Sequence, residues 1–306
     1  SGQGAQYAGM GKELYQNYSV AREVFDCADE VLGYSIKDIC FNDEAKLGET
    51  EFAQPAILTM SIAAMKVLQE QGVRAEMTAG LSLGEYSAYV ASGAMDFAEA
   101  VALVQKRGKF MAEAVPSGEG AMYAIIGLDT ELVEQSCKEA TELGLGLAVP
   151  ANYNAPGQIV IAGATKAVAE AARIEKEKGA KMAVKLKVSG PFHTELLQPA
   201  AEKLGPELEK MHIKPMEIPV FTNVNAQVVP SEKDIIPILT KQICCPVRFY
   251  NIIENMHEKG ADTFIELGPG KALCGFVKRT LKGVTIVNVE DEGSLAKTMT
   301  KLHEVV

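Results

Sequence analysis

The chain has 306 residues, 47% apolar and 23% charged, the balance of an ordinary globular protein with room for a large core. A net charge of −10 argues against a nucleic-acid binder, and no run approaches the roughly 20 apolar residues that span a bilayer. Six cysteines (Cys27, Cys40, Cys137, Cys244, Cys245 and Cys274) form no C-x-x-C pair and no Cys/His cluster at metal spacing, so buried, reduced thiols in a cytosolic protein are expected.

Length alone suggests two domains, or one with a sizeable insertion. No signal-peptide pattern is visible, and the sequence starts at Ser1 without a methionine, so its start is expected to be missing. Glycine-rich "SGQGAQYAGMG" comes first. It reads either as a flexible terminus or as a loop that brings a backbone N–H or a Gln side chain close to an acyl oxygen. The Lys-Ser/Thr of a phosphate loop is absent. Helices are predicted at 11–17 and 20–31, with Ser19 as N-cap of the second, and a longer apolar helix at 54–71.

Residues 77–80 read as a short buried strand, followed by "GLSLG" and a helix from about 83. A serine between two glycines at such a junction is either a capped turn or a nucleophile elbow, G-x-S-x-G, whose strain holds the hydroxyl outward. Residues 96–114 form a predicted helix, with Asp96 and Glu99 at capping-box spacing. At about 100° per residue, Phe97, Ala100, Val101, Leu103, Val104 and Met111 share one face. Arg107 falls inside that apolar arc, whereas Lys106 and Lys109 fall outside it. An inward arginine is expected to meet an anionic partner, because an unpaired buried charge is costly.

"AMYAIIGL", "DTELVEQSCKEATEL", "GLAVPAN", "QIVIAG", "KAVAEAARIEKEKG" and "KMAVKLKV" then read as β-α-β-β-α-β, with "YNAPG" as the turn between the middle strands. This ferredoxin-like order predicts a compact subdomain inserted into a larger α/β body. Further strands are predicted at 218–222, 262–266 and 284–289. "ELGPGKALCGFVKR" turns the second of these into a helix, and a last helix is expected at 294–304.

A serine hydroxyl is a poor nucleophile until a base takes its proton. Of the four histidines, His212 and His257 lie in Lys- and Glu-rich stretches that suit solvated surface groups, and His303 is close to the C-terminus. His193, in "VSGPFHTELL" after a strand and a Gly-Pro turn, is the leading base.

"GQGAQYAGMG", "GLSLGEYSAYVASG", "QKRGKFM", "NYNAPGQIVIAG", "SGPFH" and "ELGPGKAL", in this order, resemble the malonyl-CoA:acyl carrier protein transacylases of bacterial fatty-acid synthesis over nearly the whole chain. The resemblance implies an α/β-hydrolase-like large domain with a parallel sheet, residues 1–114 and 190–306, and a ferredoxin-like (βαββαβ) small subdomain, 115–189. It implies Ser82 as nucleophile and His193 as base, with Gln3 and the Leu83 N–H as oxyanion hole. The backbone carbonyl of Gln242 would orient the histidine, and Arg107 would pair with the free malonyl carboxylate. Asn154 would line the thioester and pantetheine channel, and Phe192 would narrow the space at the malonyl α-carbon. The implied reaction is ping-pong, with malonyl-CoA as donor and the phosphopantetheine thiol of acyl carrier protein as acceptor. No bound cofactor, metal, nucleic acid or membrane is implied, and a cytoplasmic monomer is expected. Carrier proteins are acidic, so Lys185, Lys187, Lys271, Lys278 and Arg279 are docking candidates.

Two departures stand out. The family usually has His before the serine, where this chain has Leu81. It also has a strand ahead of "GQG" that these residues lack: it was removed, it is not shown, or the sheet loses an edge and Gln3 its support. Two rival readings remain: a serine hydrolase or thioesterase, and a non-catalytic domain that docks carrier proteins. The first usually keeps an acidic third member and places its histidine near the C-terminus, whereas more than 100 residues follow His193.

Overall fold

The computed structural model describes residues 1–188 and 190–305. After the glycine-rich loop come α1 (Lys12–Asn17) and α2 (Ser19–Leu32). Ser19 is the first residue of α2, not its cap. Tyr18 alone links the two helices, its N–H still bonded to the Leu14 carbonyl of α1, so a serine cap has no place to sit. Two short helices, α3 (Ile36–Asn42) and α4 (Glu44–Leu47), are capped by the Ser35 and Asp43 side chains. They are too brief to leave a periodic signal, and the sequence reading has nothing there.

Next comes α5 (Thr50–Glu70), buried along almost its whole length. It starts four residues before the expected 54, because packing carries the helix through Pro55, where a lost backbone bond suggests a boundary. Then follow β1 (Thr78–Ala79), α6 (Gly84–Ala91) and α7 (Phe97–Glu113). Asp96 caps α7 by accepting from the N–H groups of Ala98 and Glu99. The Glu99 carboxylate turns to His212 instead of completing the capping box, accepting its backbone N–H at 3.1 Å and lying 2.6 Å from Nδ1.

The middle of the chain gives β2 (Gly120–Ile126), α8 (Thr130–Glu142), β3 (Ala148–Ala155), β4 (Gln158–Ala164), α9 (Thr165–Glu177) and β5 (Met182–Lys185). These strands form one antiparallel sheet in the order β3-β4-β2-β5. Tyr153 and Asn154, expected in the turn, belong to β3; only Pro156 and Gly157 separate the Ala155–Gln158 pair. Ser189, first residue of "SGPFH", lies outside the described residues.

A 3₁₀ turn (Glu195–Leu197) leads into α10 (Gln198–Leu208), β6 (Val220–Phe221), α11 (Glu232–Gln242) and α12 (Phe249–Glu258). The chain continues through β7 (Thr263–Leu267), α13 (Ala272–Thr280), β8 (Thr285–Val289) and α14 (Glu292–Val305). β1 pairs with β6, and β7 with β8, both in parallel. The architecture is therefore mixed α/β. Among the described residues no helix is long and apolar enough to cross a membrane.

Among the described residues three apolar clusters hold these parts. The largest gathers α2, α5, α6, α7 and α10 and takes in Met122, Val160 and Ala162 from one face of the antiparallel sheet. The other face, with Ile125, Ile159 and Ile161, packs under α8 and α9. Phe221, Val247, Phe249 and Ile252 form the third cluster behind the end of β6. The buried polar residues that matter lie where the first and third clusters meet.

Candidate active site

Four residues separate β1 from α6, and the turn they make is very tight. A Cβ on Gly80 would stand 2.0 Å from the carbonyl of Gly84, so no larger residue fits there. Ser82 has φ 54°, a left-handed conformation that a non-glycine residue adopts only under constraint. Asn223, just beyond β6, supplies that constraint. Its Oδ1 accepts the Ser82 N–H at 2.6 Å, and its Nδ2 donates to the Gly80 carbonyl at 2.7 Å. From the C-terminal end of α11, Gln242 Nε2 donates to the Ser82 carbonyl at 2.9 Å. The turn is a tight strand-to-helix elbow that presents its hydroxyl to His193 and Arg107.

His193 also has positive φ, 62°, in a turn where the Thr194 hydroxyl donates to the Pro191 carbonyl at 2.7 Å. Its Nε2 lies 2.7 Å from Ser82 Oγ, and its Nδ1 lies 3.0 Å from the Gln242 carbonyl. A carbonyl only accepts, so Nδ1 carries the proton and Nε2 presents its lone pair to the serine hydroxyl. Burial, with the Arg107 charge second, pushes the imidazole down to about 4. The ring is thus neutral near pH 7 and able to take a proton.

Arg107 projects inward from α7 and is fully buried. Among the described residues no anionic partner touches it, contrary to the expectation. Its Nη1 donates to Gln54 Oε1 at 2.7 Å, and its Nη2 donates to Gln242 Oε1 at 3.0 Å and to Ser82 Oγ at 3.2 Å. The Tyr86 ring lies 5.3 Å away, and Nε has no hydrogen-bond partner among the described residues. Neutral oxygens and a ring face therefore carry this cation, and burial pulls its pKa down. A guanidinium held this way beside a serine hydroxyl can receive a planar anion.

Ser82, Arg107, His193 and Gln242 converge as expected. The other predicted residues are placed as follows. Gln3 donates through Nε2 to the Thr50 hydroxyl at 3.1 Å. Leu83 is the N-cap residue of α6, so its N–H lies outside the helical bonding ladder. Asn154 is 8% exposed, and its Oδ1 is buried without a partner among the described residues. Phe192 is buried, with Gly190 close against its ring. Leu81 packs on the backbone of Gly2, where an added Cβ would come within 2.9 Å of it. Gln54, Glu85 and Asn223 are additions. Their local signals are faint: a glutamate inside the serine motif, and "TN" just past a buried strand. Lys185, Lys187, Lys271, Lys278 and Arg279 are all exposed, and none forms an ion pair among the described residues.

A family model described as "Acyl transferase domain" matches residues 1–304. The Malonyl CoA-acyl carrier protein transacylase of Bacillus subtilis (strain 168) is 47% identical over 304 residues, covering 99% of this chain and 96% of its own. The crystal structure of malonyl CoA-acyl carrier protein transacylase from Clostridium perfringens superposes with a TM-score of 0.95 at 49% identity, covering 99% of this chain and 96% of that one. A malonyl-transacylase solved in complex with its type II PKS acyl-carrier protein superposes with a TM-score of 0.94 at 41% identity, covering 98% and 97%.

Proposed function

Because the chain belongs to the acyl transferase domain family, we propose that it moves a malonyl group from malonyl-CoA to the phosphopantetheine thiol of an acyl carrier protein, through an ester on Ser82. The observation that carries this reading is Arg107 Nη2 at 3.2 Å from Ser82 Oγ. In a malonyl ester the carboxylate carbon is three bonds from Oγ, within reach of a guanidinium already at the hydroxyl. Gln54 and Gln242 hold the fork in place for two parallel bonds to that carboxylate.

His193 Nε2 takes the Ser82 proton as Oγ attacks the thioester carbonyl. The imidazolium is steadied by the Gln242 carbonyl. The oxyanion forms at the N-terminus of α6, where the Leu83 N–H meets it with the dipole of the helix behind. Gln3 completes the donor pair by turning its amide from Thr50. CoA leaves with the proton from His193. The phosphopantetheine thiol then gives its proton to His193 and attacks the ester, which returns the serine. Asn154 Oδ1, buried without a partner among the described residues, suits an amide N–H of the pantetheine arm, and the buried Phe192 beside His193 would narrow the acyl space.

The antiparallel order β3-β4-β2-β5 supports a ferredoxin-like subdomain, 115–189, on a hydrolase-like body. The proposal includes a cytoplasmic monomer with no bound cofactor. An acidic carrier protein would dock on cations such as Lys185, Lys187, Lys271, Lys278 and Arg279.

Intact-protein mass spectrometry tests the reaction. Malonyl-CoA should leave a malonyl adduct that addition of holo carrier protein removes onto its thiol. Free malonate released at one rate with and without carrier protein would make the chain a hydrolase. The direct His193 to carbonyl contact, in place of a carboxylate, favours the transferase.

The pH profile provides a second check. His193 acts as a base only when neutral, and its lowered pKa keeps it neutral down to about 4. Quenched-flow rates of Ser82 malonylation should therefore stay level from pH 8 to about 5 and be halved only near 4, below the usual histidine range of about 6.5. A limb at the ordinary histidine value would contradict the buried geometry.

A further inference from the structure

Two residues brace the reactive groups from behind, Gln242 and Asn223, and both are tied to one buried carboxyl that the mechanism above does not use. Glu85 lies in the first turn of α6 with no exposed surface. Its Oε2 accepts the Asn223 N–H at 2.9 Å and Gln242 Nε2–H at 2.9 Å, while the Tyr89 hydroxyl donates to Oε1 at 3.1 Å.

A primary amide has one donor end and one acceptor end. The donor end of Gln242 faces two oxygens, Glu85 Oε2 and the Ser82 carbonyl. That leaves Gln242 Oε1 turned toward Arg107 Nη2 at 3.0 Å. The reversed amide would set its NH₂ against the guanidinium, donor to donor, and its oxygen against two oxygens.

We propose that Glu85 is a positioning and specificity residue: its Oε2 fixes the Gln242 amide, which holds Arg107 beside Ser82 and so sets the preference for a carboxylate-bearing acyl group. This rests on the malonyl reading above. Burial pushes the Glu85 carboxyl up, opposed by hydrogen bonds from Asn223, Gln242, Thr222 and Tyr89. The role holds in either protonation state, because a proton on Oε1 would face the Tyr89 oxygen and leave Oε2 an acceptor.

The test compares rates of Ser82 acylation by malonyl-CoA and acetyl-CoA. The parent protein is measured first; no malonyl adduct there would defeat the malonyl reading itself, before any variant is compared. Glu85→Gln keeps an acceptor toward Asn223 and Gln242, while the Tyr89 oxygen takes its NH₂, so the malonyl-to-acetyl ratio should stay within about threefold of the parent. Glu85→Leu fills the space without an acceptor, and the ratio should drop by about tenfold or more, whatever common loss Asn223 imposes on both acyl groups. An unchanged ratio in the Leu variant, or an equal drop in the Gln variant, overturns the proposal. If the Leu variant does not fold, Glu85→Asp takes its place: it keeps the charge but withdraws the carboxyl by one methylene. Its ratio should fall by at least about threefold, and an unchanged ratio again overturns the proposal.

Discussion

Replacing Ser82 with alanine is expected to abolish the acyl adduct and to lower transfer to carrier protein by about 10⁴-fold or more, the loss seen when a nucleophile that acts with its base is removed. The fold should survive. The elbow is held through the Ser82 backbone, by Asn223 on its N–H and Gln242 on its carbonyl, and an alanine keeps both bonds. Among the described residues the hydroxyl itself meets only His193 Nε2 and Arg107 Nη2. Leaving those two buried groups short of one partner costs on the order of 1–3 kcal/mol. Intact mass after malonyl-CoA treatment reads the chemistry, and a thermal melt beside it reads the fold. An adduct that still formed at the parent rate would place the nucleophile elsewhere, and the roles given to His193 and Arg107 would fall with it.

Why the elbow could be read in advance, while much of its support could not, follows from the range of each signal. Gly80 and Ser82 announce themselves within five residues, because only glycine permits the 2.0 Å approach of Gly84. The inward aim of Arg107 needs only helical periodicity, and the observed burial of Val101, Val104 and Met111 bears it out. The alternating runs of the middle segment likewise carry their own strand and helix periods, and six elements appear in the expected order. Asn223, Glu85 and Gln54 have no such local mark. Each comes from a different element and reaches the site only when α5, α6 and the end of β6 are packed together. The same limit explains two local errors. Tyr153 and Asn154 look like turn residues, yet β4 on one side and Val247 on the other draw their segment into a strand. The buried position of Arg107 predicts an anionic partner, yet tertiary packing surrounds it with amide oxygens. Among the described residues the cation has neutral contacts, which leaves it able to accept a carboxylate, as the proposed reaction requires.

Replacing Arg107 with methionine should invert acyl selectivity. Methionine fills much of the space that alanine would leave open, so the comparison tests charge more than packing. Malonyl transfer should drop by roughly 10²–10³-fold, about 3–4 kcal/mol, because the carboxylate loses a bidentate, charge-assisted partner in a dry site. Acetyl transfer should hold or rise, since an acetyl group asks nothing of the guanidinium and no longer leaves it facing an empty space. Lysine is no conservative exchange here: one ammonium on a flexible stem cannot span Gln54, Gln242 and Ser82 as the planar fork does. The same variant offers an independent readout. The Arg107 charge is second to burial among the causes that depress His193. Removing a neighbouring positive charge favours the protonated imidazole, so the acid limb of acetyl-enzyme formation should move upward from about 4, though burial still keeps it below an exposed histidine. Lost selectivity with an unmoved limb would mean that Arg107 reads the substrate without sharing the field of the base. A shifted limb with malonyl preference intact would place the carboxylate on another residue, and Arg107 would then serve only to keep His193 neutral.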